Sequence, residues 1–394
     1  MQSVTTEQQG DILVVTVNNP PVNALSWHVR DGIGDAMEVA MKDDSVKAVV
    51  LRCDGRTFIA GADISELGGP PKFKRDFATD LVAMETAPKP IIAAIHGTAL
   101  GGGLETALCC HYRIAVPSAK LGLPEVNLGL LPGGGGTQRL PRVVGVEQAA
   151  VMVALGAPVS AKKALEIGLI DALAGEDSLA ADAVKLAQEC IAKGPRPTRN
   201  LEVKGDLGVI ARLEAENARK WKGFDAPYAN LRCIAAAAAN PDIEKGLAVE
   251  REEFLKLLNG SQSAAQRHMF FAERQAAKID GLPKDVALRP IKKVGVIGAG
   301  TMGGGITMNF LSAGIPVTIV EMAQEALDRG VGIIRKNYEA SAAKGRFTQE
   351  KVEAMMGILT PSLSFDDLAD CDLVIEAVYE SMDVKKDVFG KLDG

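Results

Sequence analysis

Two glutamates and a run of glycines are the residues of this 394-residue chain whose types and spacing could do chemistry together. In IIAAIHGTALGGGLETALCCHYRIAVPSAKLGLPEVNLGLLP, at 91–132, a buried-strand pattern passes through Gly101, Gly102 and Gly103 into a short apolar helix with Glu105 in its first turn. Glu125 follows 20 positions on (125 − 105), beside Pro124. Three successive glycines cost backbone entropy in any regular element, so they suit a close approach of bare backbone to a ligand. The first N–H groups of a helix lack partners and carry the positive end of its dipole, which stabilises an oxygen gaining negative charge. Such amides and two carboxylates can move a proton beside a carbonyl, or add water across a polarised double bond. Taken singly, each part also has a plainer reading: glycines for tight helix–strand packing, and Glu105 as an ordinary first-turn acid.

A second chemical motif begins after 290. KKVGVIGAGTMGGGI runs an apolar strand into G-x-G-x-x-G at Gly298, Gly300 and Gly303, followed by a helix and the strand PVTIV. Glu321 ends that strand, 18 positions past Gly303 (321 − 303). This is the context in which glycines let backbone approach a pyrophosphate and the acid accepts from a ribose hydroxyl. An acid there repels a 2′-phosphate, which favours NAD over NADP.

The elements that must position these groups alternate. The pattern predicts a strand over 11–19, a helix capped by Ser26 to about 41, a strand over 46–52, a helix over 72–85 and strands at 91–96 and 112–116. This reads as βα-type units rather than hairpins. Gly133–136 read as a flexible loop, Ser160 caps a helix that Gly168 ends, 169–174 is a short strand, and helices dominate 177–279. DGLPKDVALRP, at 280–290, has no periodicity and marks a boundary. The expected domains are 1–280 (core to about 195, helices after it), a linker at 281–290 and a dinucleotide-binding domain at 291–394.

A net charge of −6 without a basic stripe argues against a nucleic-acid surface. The six cysteines show no metal-like spacing, and adjacent Cys109 and Cys110 read as small core residues, so no metal is expected. The N-terminus lacks signal-peptide features, and no stretch reaches the roughly 18 apolar residues of a membrane span. A soluble intracellular protein is expected, with oligomeric state open.

The ordered motifs FIAGADISEL (58–67), GTALGGGLETAL (97–108) and GLPEVNLGLLPGGGGTQRLPRVVG (122–145) resemble the crotonase superfamily of enoyl-CoA hydratases and isomerases, and most closely the N-terminal part of multifunctional β-oxidation enzymes. The resemblance implies an α/β fold, a crotonase-like ββα spiral with C-terminal helices followed by a partial Rossmann doubly wound domain. It implies Glu105 and Glu125 as the catalytic pair acting on a CoA thioester, the amides of Ala62 and Gly102 as the oxyanion hole, and Ala60 beside the adenine. It also makes Gly133–136 one wall of the acyl pocket. From 291 the chain resembles the NAD-binding half of 3-hydroxyacyl-CoA dehydrogenases, a match that continues in CDLVIEAVYESMDVKKDVFGKLD (371–393). There Glu380 is the carboxylate that orients the catalytic histidine and Lys385 reaches toward the nicotinamide, although Ser381 stands where an amide or acid is usual.

The four histidines, His28, His96, His111 and His268, all precede the nucleotide motif. The chain is therefore expected to be the first portion of a longer enzyme, one that hydrates but does not dehydrogenate, with exposed apolar edges on a less stable second domain. The expected activity is hydration of 2-enoyl-CoA with 3-enoyl to 2-enoyl isomerisation. The alternatives are an isomerase alone, or an acyl-CoA and NAD binding module without turnover. A bacterial cytoplasm is the expected compartment, with the peroxisome as alternative.

Overall fold

Aliphatic runs too short for helices become strands, and their alternate residues divide into two cores. The computed structural model describes residues 3–67, 75–276, 278–283 and 285–393, and the chain divides into two units, Met1–Ile279 and Asp280–Gly394.

In the first unit β1 (Val4–Gln9) returns antiparallel onto β2 (Ile12–Val17) through a two-residue turn with Gly10 at φ +61. This hairpin corrects the expectation of βα units throughout. VTTEQQ is mostly exposed and polar, so no burial pattern announced it. The strands β3 (Ala48–Cys53), β4 (Ile91–Ile95), β6 (Tyr112–Ala115) and β9 (Ala172–Leu173) then add in parallel, giving the order β1-β2-β3-β4-β6-β9. A second sheet joins β5 (Thr98–Leu100), β7 (Lys120–Gly122) and β8 (Val159–Ser160).

Leu13, Val15, Val49, Leu51, Ile91 and Ala93 face one core, which they share with α1 (Trp27–Lys42), α3 (Gly102–Cys109) and α4 (Gly136–Leu155). Ile12, Val14, Ala48, Val50, Ile92 and Ala94 face the other, closed by Ala183, Ala187 and Cys190 of α6 (Leu179–Lys193). Ser26 is the residue before α1, but its hydroxyl does not cap the helix; it contacts the His28 ring instead. α2 spans Phe77–Glu85; the residues 72–74 assigned to it from sequence lie outside the described residues. Ser160 caps α5 (Ala161–Glu166) by accepting from the Lys163 amide. Helices α7 (Gly208–Asn217), α8 (Ala226–Ala239), α9 (Ile243–Leu258) and α10 (Ser261–Ala276) complete the unit. Cys109 and Cys110 are free thiols in the core.

The second unit is a parallel sheet in the order β12-β11-β10-β13, formed by β10 (Val294–Ile297), β11 (Val317–Val320), β12 (Leu359–Ser362) and β13 (Leu373–Glu376). α11 (Thr301–Ser312), α12 (Gln324–Ala343), α13 (Gln349–Gly357) and α14 (Met382–Asp393) accompany it. β13 is an edge strand, and Leu373 on it is 39% exposed. Among the described residues no helix is long and apolar enough to cross a membrane.

Candidate active site

The glycine run at the start of α3 gives the site its geometry. Gly101 precedes the helix at φ +52, where a side chain would be strained, and a Cβ on it would stand 2.9 Å from Glu125 Oε1. Gly102 is the first helical residue, so its N–H has no partner inside the helix. A Cβ at 102 would lie 3.5 Å from the Ala62 nitrogen and 3.1 Å from Leu25 Cδ1, so a side chain would fill the space in front of that amide. Ala62 is exposed and is held in place by the pairing of its segment with Leu25, whose N–H donates to the Gly61 carbonyl at 2.9 Å. Among the described residues neither the Ala62 nor the Gly102 amide is given to a protein acceptor. Ala60 gives its N–H to the Val22 carbonyl at 3.2 Å.

Glu105 is 5% exposed. Its Oε1 accepts from the amides of Gly134 and Gly136 at 2.7 and 2.9 Å, which leaves Oε2 free of both. Burial raises its pKa against the pull of those two amides and of Arg139. Glu125 opens a short 3-10 turn (Glu125–Leu128) after Pro124, and its Oε2 is buried with no hydrogen-bond partner among the described residues. Burial first, then the Glu105 charge, hold its pKa well above the usual carboxylate range. One carboxyl is thus set to keep its proton beside another that is gripped by amides.

Gly133–136 are not the flexible loop expected from sequence. A Cβ on Gly134 or Gly136 would come within 2.9 Å of a Glu105 carboxylate oxygen, and the intervening amide of Gly135 donates to Glu250 Oε1 at 2.6 Å. Thr137 donates to Glu250 Oε2 through both its N–H, at 3.0 Å, and its hydroxyl. Arg139, buried, braces this segment by donating to the Gly134 carbonyl at 3.0 Å and to Glu85 Oε2 at 2.9 Å. Burial opposes ionisation of Glu85, but the Arg139 charge and the bonds from Arg139 and Arg199 hold its pKa down. The sequence reading missed Glu250, Arg139 and Glu85. Glu250 did leave a signal: it shares the buried stripe of α9 with Ile243, Gly246 and Leu257.

In the second unit Gly298, at φ +104, turns out of β10, and a Cβ on it would meet the Ala377 carbonyl at 2.6 Å. A Cβ on Gly303 would strike the Gly298 carbonyl at 1.8 Å, so this glycine lets α11 pack against the strand. Gly300 faces open space at the start of α11. Glu321 Oε1 accepts from the Ala299 amide at 3.0 Å, which brings the carboxylate to the glycine turn. A cavity of about 300 Å³ runs along this turn, lined by Gly300, Thr301, Glu321 and Asn337 among others. Lys385 is paired with Glu380 at 2.9 Å and with Glu376 at 3.3 Å. No cluster of three metal-ligating side chains occurs among the described residues.

A spiral α/β unit with two neighbouring amides given to no acceptor among the described residues, a buried Glu105 and a half-buried Glu125, followed by a glycine-turn parallel sheet, has the parts of an acyl-thioester enzyme joined to a dinucleotide-binding fold. Comparison with known proteins gives the same answer. Residues 7–232 match the enoyl-CoA hydratase/isomerase family, and residues 293–394 match the NAD-binding domain of 3-hydroxyacyl-CoA dehydrogenase. The chain belongs to the enoyl-CoA hydratase/isomerase family. It is 39% identical over 392 residues to the peroxisomal bifunctional enzyme of Danio rerio, an alignment covering 97% of this chain and 53% of that protein. It is 36% identical over 405 residues to the glyoxysomal fatty acid beta-oxidation multifunctional protein of Cucumis sativus, covering 97% and 55%. The chain thus spans about half the length of the curated relatives it matches. Among solved structures, carnitinyl-CoA hydratase from Mycobacterium avium is 30% identical with a TM-score of 0.52, covering 70% of this chain and 97% of that one.

Proposed function

We propose that the first unit hydrates 2-enoyl-CoA thioesters to 3-hydroxyacyl-CoA. The supporting observation is the buried, unpartnered Oε2 of Glu125 beside a Glu105 whose two amide bonds both fall on Oε1. The thioester oxygen lies between the N–H groups of Ala62 and Gly102, which polarise the double bond. Water sits between the two acids. Glu105 takes one of its protons as the hydroxyl joins C3, and Glu125 gives its own proton to C2. Passing the proton from Glu105 to Glu125 restores the starting state. Ala60 lies next to this amide pair in sequence, and we assign it to the CoA adenine. Because Glu125 can also carry a proton from C2 to C4, the same site isomerises 3-enoyl to 2-enoyl thioesters.

In the second unit Gly298, Gly300, Gly303 and Glu321 would hold NAD, with Gly300 leaving backbone open to the pyrophosphate and Glu321 facing a ribose. When bound, NAD supplies hydride acceptance. Glu380 and Lys385 are assigned to the nicotinamide end. The names of the relatives favour a peroxisomal setting over a bacterial cytoplasm. The test is direct: adding the protein to a 2-enoyl-CoA should remove the enoyl-thioester absorbance, and persistence of that absorbance defeats the hydratase reading.

A further inference from the structure

Four consecutive amides, those of residues 134 to 137, point alternately to two different carboxylates. Gly134 and Gly136 donate to Glu105, and Gly135 and Thr137 donate to Glu250. Neither set can move without turning the peptide planes that hold the other. Glu250 reaches this segment from α9, which docks closely there because Gly246, one turn earlier, leaves room for Gln138; a Cβ on Gly246 would stand 2.0 Å from Gln138 Oε1. Gln138 Nε2 donates to Thr137 Oγ1 at 2.8 Å, so the Thr137 hydroxyl is left with its own proton to donate to Glu250. Glu250 is 2% exposed and takes part in no step of the proposed hydration.

We infer that Glu250 is a positioning residue for the acid pair: by fixing the amides of Gly135 and Thr137 it fixes those of Gly134 and Gly136, and hence the oxygen of Glu105 that stays free for water. This rests on the reading of Glu105 and Glu125 as that pair. The role has an electrostatic side. Glu250 is faced by Glu105 of α3, by Glu125 of the 3-10 turn, by Arg139 of α4 and by Cys233 of α8. Burial and the Glu105 charge push it up to about 8, so it ionises as the solution turns alkaline. Ionised Glu250 adds negative charge opposite Glu125 and keeps the proton on that acid.

Glu250→Gln keeps the shape, removes the charge and turns one of its acceptors into a donor against an N–H. The expected result is a kcat lowered about 10- to 100-fold with KM nearly constant, as for a misplaced catalytic group. The alkaline limb of the kcat profile should also move to lower pH, because Glu125 then loses its proton sooner. Thr137→Val, which removes only the hydroxyl, should move the limb the same way by less and serves if the first variant fails to fold. An unmoved limb with kcat within twofold of wild type in the folded variants overturns the inference. Wild-type protein without hydration would instead defeat the hydratase reading. The inference is then decided by the amide resonances of residues 134–137: a common titration that Glu250→Gln abolishes supports it, and independent titrations overturn it.

Discussion

Two glycine runs in the first unit solve opposite problems with the same backbone groups. At Gly101–103 the amide of Gly102, like that of nearby Ala62, is given to no acceptor among the described residues and stays available to a ligand. At Gly133–136 each amide from Gly134 onward donates to a protein carboxylate, Glu105 or Glu250. In the proposed reaction the first run would meet an oxygen that becomes charged, and the second, turned inward, would set the acid that works on it. Helix starts attract anions in either case. What differs is whether the anion is already part of the protein.

The sharpest way to break this distinction is at the acids. Glu105→Gln and Glu125→Gln should each lower hydration about 1000-fold, the scale of a lost acid or base, read from the enoyl-thioester absorbance. Glu125→Gln should abolish isomerisation of 3-enoyl substrates as well; retained isomerisation would show that another group carries the proton. Next in size is Gly102→Pro, which deletes the donor at a helix position where proline is tolerated and crowds the Ala62 amide. It should cost about 100-fold or more in kcat, the loss of one oxyanion donor. A smaller loss would mean that Gly102 does not hold the acyl oxygen.

How far the two runs could be read from sequence differs, for a physical reason. Gly101–103, Glu105 and Glu125 lie within one local stretch, and their geometry follows from a strand, a turn and a helix start. The inward run depends on Glu250, whose bond to Gly135 spans 115 positions. Within VEREEF that residue reads as one charge among several, and only the docking of α9 buries it. Arg139 and Glu85 are hidden in the same way, their charges cancelling across 54 positions. The hairpin of β1 escaped because its side chains face water, whereas the parallel strands and the nucleotide turn were plain from aliphatic runs and glycine spacing.

The inward run should also be the more costly to disturb in stability. Glu85→Gln leaves the Arg139 charge buried without its partner, and Arg139 is what braces the Gly134 carbonyl. Unfolding in urea should show a loss of about 3–5 kcal/mol, the usual cost of breaking a buried pair. Gly102→Pro, at the one half-buried glycine of the first run, should change stability far less. Equal losses at both positions would remove the distinction between a ligand-facing and a structural run.

The smallest expected effect has the most telling sign. Burial and the Glu105 charge raise the pKa of Glu125 in the folded protein above its unfolded value near 4.5. Above that value the unfolded chain has released the proton while the folded chain still holds it. This group's contribution is therefore fully present below pH 4.5 and declines as pH rises through its folded value. Gln at 125 removes that dependence. Glu125→Gln should thus match wild type more closely in mild acid and gain on it steadily toward alkaline pH, as read from Tm across the range, while hydration stays lost. A gain at alkaline pH together with lost turnover would show that the unpartnered acid is kept at the expense of stability. A variant whose stability runs parallel to wild type at every pH would mean that Glu125 is ionised as readily in the fold as outside it, and would leave the hydration without its proton donor.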